Sequence, residues 1–316
     1  MLTDTPAQNT RTAPSQIKLF LALSRTPHAL LDMAMPVFGA LLWLGHFPPI
    51  AISLIGLLTV FAGYTAVYAL NDVIDYRVDQ EKAKISGGLR ESDNYLDAVM
   101  IRHPMAQGLL SFPKGLAWAL AWSIVAIVGA WLLNPVCVLI FIGGCLLEAV
   151  YCWMLRISPM RTLISGAVKT SGTVAAVFAV DADPSLAFVA LLFFWLFFWE
   201  IGGQNIPADW ADIDADRKLN AQTIPVRFGP RNAAGFALAA IIVALMFKTA
   251  LIGISPLSGS MSFYAGALLL GAYLLLPPVI QLYRSKQRRS AMALFNRASY
   301  YPPAMLALIL LVLTVR

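Results

Sequence analysis

Long apolar segments separated by shorter polar ones dominate the pattern of the chain. Ile50–Leu70 and Gly115–Leu133 carry no charged residue, and each is long enough to cross a hydrocarbon core of about 30 Å as a helix. Seven further segments have the same character: His28–Leu44, Val136–Leu155, Thr162–Val180, Leu186–Ile206, Ala233–Ile252, Phe263–Leu282 and Ser299–Val315. The pattern predicts an all-α, polytopic membrane protein with about nine transmembrane helices.

The composition indicates a lipid environment. The 316 residues are 59% hydrophobic and 13% charged, whereas about a quarter of the residues of soluble domains are charged. If the loops alternate sides, nearly all Lys and Arg lie on one face, and the other keeps Lys248 and Arg316. This asymmetry predicts that the basic face is cytoplasmic, in a bacterial inner (plasma) membrane. The net charge of +6 then indicates membrane lipid, and no nucleic acid, as a partner.

Polar residues are concentrated at the N-terminus and in two long loops on the basic face. We expect residues 1–24 to form a polar cytoplasmic tail. Residues 25–316 are expected to form a single transmembrane domain with cytoplasmic loops 71–114 and 208–232. Since the loops on the other face are short, function is expected on the cytoplasmic side.

Each long loop opens with a carboxylate cluster of the form Asp-x-x-Asp-x-x-x-Asp. The members are Asp72, Asp75, Asp79, Asp209, Asp212 and Asp216. Positions i, i+3 and i+7 share one face of an α-helix, so each cluster is expected to extend its membrane helix and present three carboxylates in one direction. Like charges at this spacing destabilise a helix by a few tenths of a kcal/mol per pair, so a compensating cation is expected.

Mg²⁺ is the expected cation, because it is commonly held by one or two carboxylates together with phosphate oxygens of a substrate. The six aspartates are therefore predicted to be metal ligands and catalytic residues that stabilise charge on a diphosphate as its ester bond breaks. One cluster alone is equally consistent with a solvated acidic helix end, but the matched pair favours a site. A transporter, with acidic groups near the bilayer midplane, and a scaffold that does not need the aspartates are the alternatives.

Besides Lys248, four charged residues lie inside predicted membrane helices, where a charge costs about 2.5–3.5 kcal/mol on insertion scales. They are Asp32, Glu148, Lys169 and Glu200. All lie near the cytoplasmic ends of their helices, which indicates an enclosed polar chamber below the aspartates. Lys169 is a candidate diphosphate or acceptor contact, or one partner of an ion pair between helices. Asn205 is a candidate substrate contact.

An aromatic run, Phe193–Phe198, lies in the helix before the second cluster. Aromatic faces stabilise positive charge, so the run is a candidate lining for the path of a carbocation. The same composition also suits a helix face against lipid, which is the more frequent outcome.

The segments around the clusters carry a resemblance to a known family. Asn71–Asp79 is similar to the motif NDxxDxxxD, and Asp209–Lys218 to the motif DxxDxxxD, followed by Thr223–Gly229, which is similar to TLPVxxG. Arg102–Ser111 is similar to the segment RPLxxGx[IL]S. Over about residues 25–315 the chain resembles the UbiA-type intramembrane prenyltransferases, the relatives of 4-hydroxybenzoate polyprenyltransferase.

The resemblance implies nine helices around a central cavity whose mouth carries both aspartate motifs. It implies a Mg²⁺-dependent transfer of a prenyl group from a polyprenyl diphosphate to an acceptor. The predicted substrate-binding residues, including the two candidates named above, are Asn71, Arg77, Arg102, Arg156, Lys169, Asn205, Arg217 and Lys218. A small aromatic acceptor, such as a quinone precursor, is expected, and a non-aromatic lipid acceptor or a terpene cyclase is the alternative.

One segment departs from the family pattern. Residues 85–100 separate the first motif from the Arg102 segment, where the family has only a few residues. We expect an inserted loop or short helix over the mouth of the cavity, and this insertion leaves the acceptor open.

Overall fold

The computed structural model describes residues 14–85 and 100–315. Most of the predicted tail (1–13) and most of the predicted insertion (86–99) lie outside the described residues. Nine helical spans within the described ranges are long and apolar enough to cross a membrane. The prediction of an all-α integral membrane protein with nine spans is therefore confirmed.

Helices form nearly all of the described chain. They are α1 (Gln16–Leu23), α2 (Thr26–Asp32), α3 (Ala34–Leu44), α4 (Ile50–Ile74), α5 (Tyr76–Ile85), α6 (Phe112–Leu133), α7 (Pro135–Trp153), α8 (Arg161–Val180), α9 (Leu186–Trp199), α10 (Ile206–Ala211), α11 (Ile213–Lys218), α12 (Ile224–Ile254), α13 (Met261–Leu274), α14 (Leu276–Ser285) and α15 (Arg288–Val315). A 3-10 turn, Met154–Arg156, follows α7, and a π-helix, Glu200–Asn205, joins α9 to α10.

Part of the predicted tail, Gln16–Leu23, forms helix α1. Helix α1 buries Leu19, Ala22 and Leu23 and packs against α4 and α6. The indole N–H of Trp118 also donates to the Ser24 hydroxyl at 2.8 Å. This short helix has an apolar face that requires burial, although it is too short to span a membrane.

Two later helices begin before their predicted starts. Helix α15 starts at Arg288 and continues through Pro302 and Pro303, which lie close to the start of the predicted segment Ser299–Val315. Each proline leaves a carbonyl one turn earlier without its N–H donor, and neighbouring helices make such prolines tolerable in a membrane. Helix α12 starts at Ile224 and kinks at Gly229, which has φ 74°. Part of the predicted loop 208–232 is therefore helical.

The helices form two parts: one has a dense apolar core and is called the solid half, and the other surrounds a cavity and is called the hollow half. Helices α3, α9, α12 and α15 bury a dense apolar core that includes Phe38, Trp195, Ile241 and Tyr301. Helix α4 packs against α6, α6 against α7 and α7 against α8, and residues of these four helices line a cavity. The aspartate motifs lie at one end of this hollow half.

Candidate active site

The cavity extends through most of the thickness of the helix bundle. Its volume is about 540 Å³. One end is lined by charged residues of both motifs, and the other by apolar residues that include Pro48, Ile52 and Leu133. Helix α4 alone, with 25 residues, is roughly 37 Å long at 1.5 Å per residue. The cavity therefore joins a charged mouth to an apolar interior at membrane depth.

Each aspartate motif is divided by a helix break at its middle aspartate. Asp75 lies between α4 and α5 with φ −82° and ψ 4°, and Asp212 lies between α10 and α11 with φ −102° and ψ 6°. The prediction that each motif continues one helix is therefore wrong. This sparsely populated backbone region is common at active sites, and the break changes the direction of the chain between the first and last aspartate of each motif.

In the first motif, His103 lies between two buried carboxylates. Its Nδ1 is 3.1 Å from Oδ1 of Asp72 and 2.8 Å from Oδ2 of Asp79, and Arg25 also contacts Asp72 at 3.3 Å. Burial lowers the pKa of His103, but the two carboxylates outweigh it and raise this pKa to about 9. Burial and the neighbouring Asp79 raise the pKa of Asp75. A cation of the chain thus already occupies the position between Asp72 and Asp79.

Sequence reasoning did not single out His103. Its backbone has φ 50°, which is uncommon for a residue other than glycine and indicates that its contacts impose the position. The available signal was its place beside Arg102 in the segment that resembles the family motif.

In the second motif, two cations from the first half of the chain bind Asp212. Lys82 Nζ lies 2.7 Å from Asp212 and 3.2 Å from Asp216, and Arg102 donates two hydrogen bonds to Asp212, at 3.2 and 2.7 Å. Burial raises the pKa of Asp212, but Arg102 and Lys82 together hold it well below its usual range. Because Lys82 belongs to α5, this contact places the two motifs face to face at the same mouth.

Arg161 is a further residue that sequence reasoning missed. Its guanidinium lies 3.9 Å from the centre of the Tyr151 ring, and Nη1 is 3.8 Å from Oδ1 of Asp209. Arg161 is 5% exposed and lines the cavity. The signal was its position as a basic residue at the start of a membrane helix, on the side of the motifs.

Four predicted substrate-binding residues lie on the cavity wall: Asn71, Arg102, Lys169 and Asn205. Asn71 donates to Glu148 at 2.6 Å, and Asn205 donates to the Tyr151 hydroxyl at 3.2 Å. Lys169 forms an ion pair with Asp32, so the ion-pair interpretation holds for these two residues. Since Lys169 also lines the cavity, the pair does not remove it from the site.

The structure does not bring the other four to the cavity. Among the described residues that line it, Arg77, Arg156, Arg217 and Lys218 do not occur. Arg156 instead pairs with Glu81 at 2.5 Å, with 45% of its side chain exposed. The other three follow a motif aspartate by one or two positions, and such neighbours do not share a helix face.

The aromatic run Phe193–Phe198 does not face the cavity either. Within the described chain, none of residues 193–198 lines the cavity. Phe194 and Phe198 stack on Phe247 of α12, with centroid distances of 5.1 and 6.0 Å, so the run belongs to the solid half. The aromatic residues on the cavity wall are instead Phe47, Tyr64, Tyr68, Phe141, Tyr151 and Phe295.

The donor set fits a hard divalent cation. One carboxylate oxygen of Asp72 and one of Asp79 lie within 4.8 Å of each other, beside His103, and carboxylate oxygens are the ligands that Mg²⁺ prefers. Oδ2 of Asp209 is buried and has no hydrogen-bond partner among the described residues. A bound cation would satisfy this oxygen, whose burial without a partner is otherwise unfavourable.

Related sequences of known proteins are named as two different enzymes. The digeranylgeranylglyceryl phosphate synthase of Thermococcus sibiricus is 26% identical over 243 residues, which cover 76% of this chain and 80% of the relative. The 4-hydroxybenzoate octaprenyltransferase of Tolumonas auensis is 26% identical over 229 residues, which cover 71% and 74%.

Solved structures share the fold. A UbiA homolog from Aeropyrum pernix K1 superposes with a TM-score of 0.71 at 21% identity, over 90% of this chain and 98% of that one. A UbiA homolog from Archaeoglobus fulgidus, bound to GPP and Mg²⁺, superposes with a TM-score of 0.65 at 16% identity, over 94% and 99%. Residues 33–301 match the sequence profile of the UbiA prenyltransferase family. The chain therefore belongs to the UbiA prenyltransferase family and is a prenyltransferase.

Proposed function

We propose that this prenyltransferase binds the diphosphate of a polyprenyl donor between its two aspartate motifs and holds the prenyl chain in the apolar part of the cavity. The observation that carries the proposal is the Lys82 contact, which sets the two motifs face to face at the mouth of a cavity that is apolar at depth. The Archaeoglobus homolog has been seen with DMAPP as well as GPP, each with Mg²⁺, which supports an allylic diphosphate as the donor.

Mg²⁺ is the proposed cofactor, held by carboxylates of Asp72, Asp75, Asp79, Asp209, Asp212 and Asp216. When bound, it would supply positive charge to the oxygens of the departing diphosphate. Arg102 and Lys82 already reach across the mouth to Asp212, and both are cations that can also contact phosphate. The chain itself thus places two positive side chains beside the proposed position of the leaving group.

The apolar wall has a separate role in the proposal. Below the motifs the cavity is lined by small and apolar residues, among them Gly63, Ala126, Ile140 and Gly144. Such a wall keeps water away from the allylic carbon while positive charge develops on it. Tyr64 and Tyr68 lie on the same cavity and offer ring faces that stabilise that charge.

We also propose a site for the acceptor and an orientation of the protein in the membrane. Relatives are named both for a glyceryl phosphate lipid and for a hydroxybenzoate, so the expected aromatic acceptor has one competitor of a different class. We place the acceptor in the polar chamber below the motifs, beside Lys169 and Asn205. The basic loops beside the motifs favour a cytoplasmic mouth.

The test is a transfer assay in lipid nanodiscs. The purified protein is incubated with geranyl, farnesyl or longer diphosphates, Mg²⁺ and a panel of acceptors, and both pyrophosphate and product mass are measured. We expect pyrophosphate release that requires Mg²⁺ and stops with EDTA, together with a product heavier by the prenyl group. Mg²⁺ flux across proteoliposomes without pyrophosphate release would instead support the transporter.

A further inference from the structure

One part of the cavity wall below the aspartate motifs is polar, and we call this part the side pocket. It is formed by α4, α8 and the π-helix, and its cavity-lining residues are Tyr64, Tyr68, Ser165, Lys169, Glu200 and Asn205. The apolar lining lies mostly on α4, α6, α7 and α8, so the two substrates of a transferase have chemically different places. The side pocket is therefore the part of the cavity suited to the acceptor.

Glu200 is one of three residues of this pocket with a buried polar atom that has no hydrogen-bond partner among the described residues, and it is the carboxylate among them; the others are Tyr64, at its hydroxyl, and Asn205, at Oδ1. Glu200 is 6% exposed, and it accepts one hydrogen bond, from the Ser165 hydroxyl to Oε1 at 2.9 Å. Its second oxygen, Oε2, is buried and has no hydrogen-bond partner within the described part of the chain. A buried carboxylate oxygen without a donor is unfavourable, so a ligand that supplies an O–H or N–H would be favoured there.

The backbone holds Glu200 firmly in this position. Glu200 begins the π-helix, and isolated π turns within α-helices occur frequently at functional sites. A Cβ at Gly202 would come within 2.7 Å of the Ala237 carbonyl oxygen, and one at Gly203 within 2.9 Å of Ala298 Cβ. The π-helix is thus pressed against α12 and α15, and Glu200 cannot easily move to find another donor.

The charge of the pocket limits what it can bind. Its cation, Lys169, is paired with the Asp32 carboxylate, which His28 also approaches at 3.5 Å. Arg25 and Arg161, nearer the mouth, contact Asp72 and Asp209. Glu200 therefore adds a carboxylate to a pocket whose basic groups already face carboxylates. A second anion beside it would be repelled, most strongly where water is excluded.

We infer that this pocket is the acceptor subsite, and that Glu200 selects an uncharged acceptor that presents a hydroxyl or N–H to it. The inference rests on the proposed transfer and deepens it. The expected acceptor therefore differs from the acceptors that the relatives' names indicate, because a glyceryl phosphate and a hydroxybenzoate are both anions. Glu200 acts here as a positioning and specificity residue.

Matched acceptor pairs test the inference, because each pair differs only in the charged group. The pairs are 4-hydroxybenzyl alcohol with 4-hydroxybenzoate, and geranylgeranylglycerol with geranylgeranylglyceryl phosphate. Binding is measured by calorimetry in nanodiscs with Mg²⁺ and a non-reacting geranyl thiolodiphosphate. We expect the neutral member of at least one pair to bind roughly tenfold or more tightly than its anion, the effect of one charged buried hydrogen bond.

Glu200→Gln keeps the shape of the side chain and removes its charge. It should reduce that preference by about tenfold, while affinity for the thiolodiphosphate stays unchanged. Glu81→Gln, the same change at a half-exposed carboxylate, should leave the preference intact. The inference is overturned if the anions bind as well as or better than the neutral compounds, if neither member of either pair binds, or if Glu200→Gln leaves the ratio unchanged. Selective binding without pyrophosphate release from geranyl diphosphate would refute the proposed transfer alone.

Discussion

The two aspartate motifs have the same spacing and the same helix break, yet they are held in different ways. In the first motif, Asp72 and Asp79 both contact His103, whose side chain is 7% exposed. In the second, Asp212 takes Lys82 and Arg102, and Arg102 is 36% exposed. The first motif is therefore fixed from within the bundle, whereas the second is neutralised by long cations that reach across the mouth.

This difference indicates that the two motifs respond differently when a substrate binds. We expect the buried imidazole of His103 to position the two carboxylates and to change little when a substrate binds. Long, partly exposed Lys and Arg side chains can exchange a carboxylate for a phosphate oxygen, since charge-assisted hydrogen bonds to either are of similar kind. The second motif is thus the one whose contacts we expect to rearrange when diphosphate binds.

Loss of an outer aspartate should have the largest effect, and it should be equal in the two motifs. We expect Asp72→Ala and Asp209→Ala each to lower the kcat/KM of prenyl transfer by about 1,000-fold, because charge stabilisation at the leaving group is lost. Pyrophosphate release at saturating Mg²⁺ measures this. A variant that keeps more than a tenth of wild-type activity would show that its motif does not bind the leaving group.

Loss of His103 tests the fixed motif. His103→Ala should lower kcat/KM by roughly 10- to 100-fold, the range for groups that orient metal ligands, and raise the Mg²⁺ concentration needed for half-maximal rate. The reason is that Asp72 and Asp79 lose the group that positions them. An unchanged Mg²⁺ titration together with a normal rate would remove His103 from the site.

Arg102→Lys tests the adaptable motif. Lysine retains the charge but cannot make the two parallel hydrogen bonds that Arg102 gives Asp212, so we expect about a tenfold rise in the KM for prenyl diphosphate. The kcat should change little by comparison. The reverse split, a lower kcat at constant KM, would assign Arg102 to the chemical step rather than to donor binding.

Removal of the outward-facing arginines should have the smallest effect. Arg156→Ala and Arg217→Ala are expected to keep kcat/KM within about twofold, because surface ion pairs contribute about 0–1 kcal/mol and neither side chain lines the cavity. The same pyrophosphate assay applies. A loss of tenfold or more at Arg156 would support the role that the family resemblance implies for it.

Much of the fold followed from local pattern. The nine spans were predictable because a stretch of about 20 apolar residues has few alternatives to a membrane helix. Span ends were less predictable, as α15 shows: it starts at Arg288 rather than at the predicted Ser299, because packing against other helices extends it beyond the apolar segment. The breaks at Asp75 and Asp212 were likewise missed, since the spacing of the aspartates also suits an unbroken helix.

The sequence by itself determined the helical membrane fold and singled out the six aspartates as candidates for the chemistry, since two matched motifs at the ends of apolar segments are a specific pattern. Only the tertiary structure decided which groups meet them. Asp72 is 31 residues from His103, and Asp212 is 130 residues from Lys82; contacts at such separations depend on how the helices pack. For the same reason the Glu200 carboxylate could be recognised as unsatisfied only once its neighbours were in place.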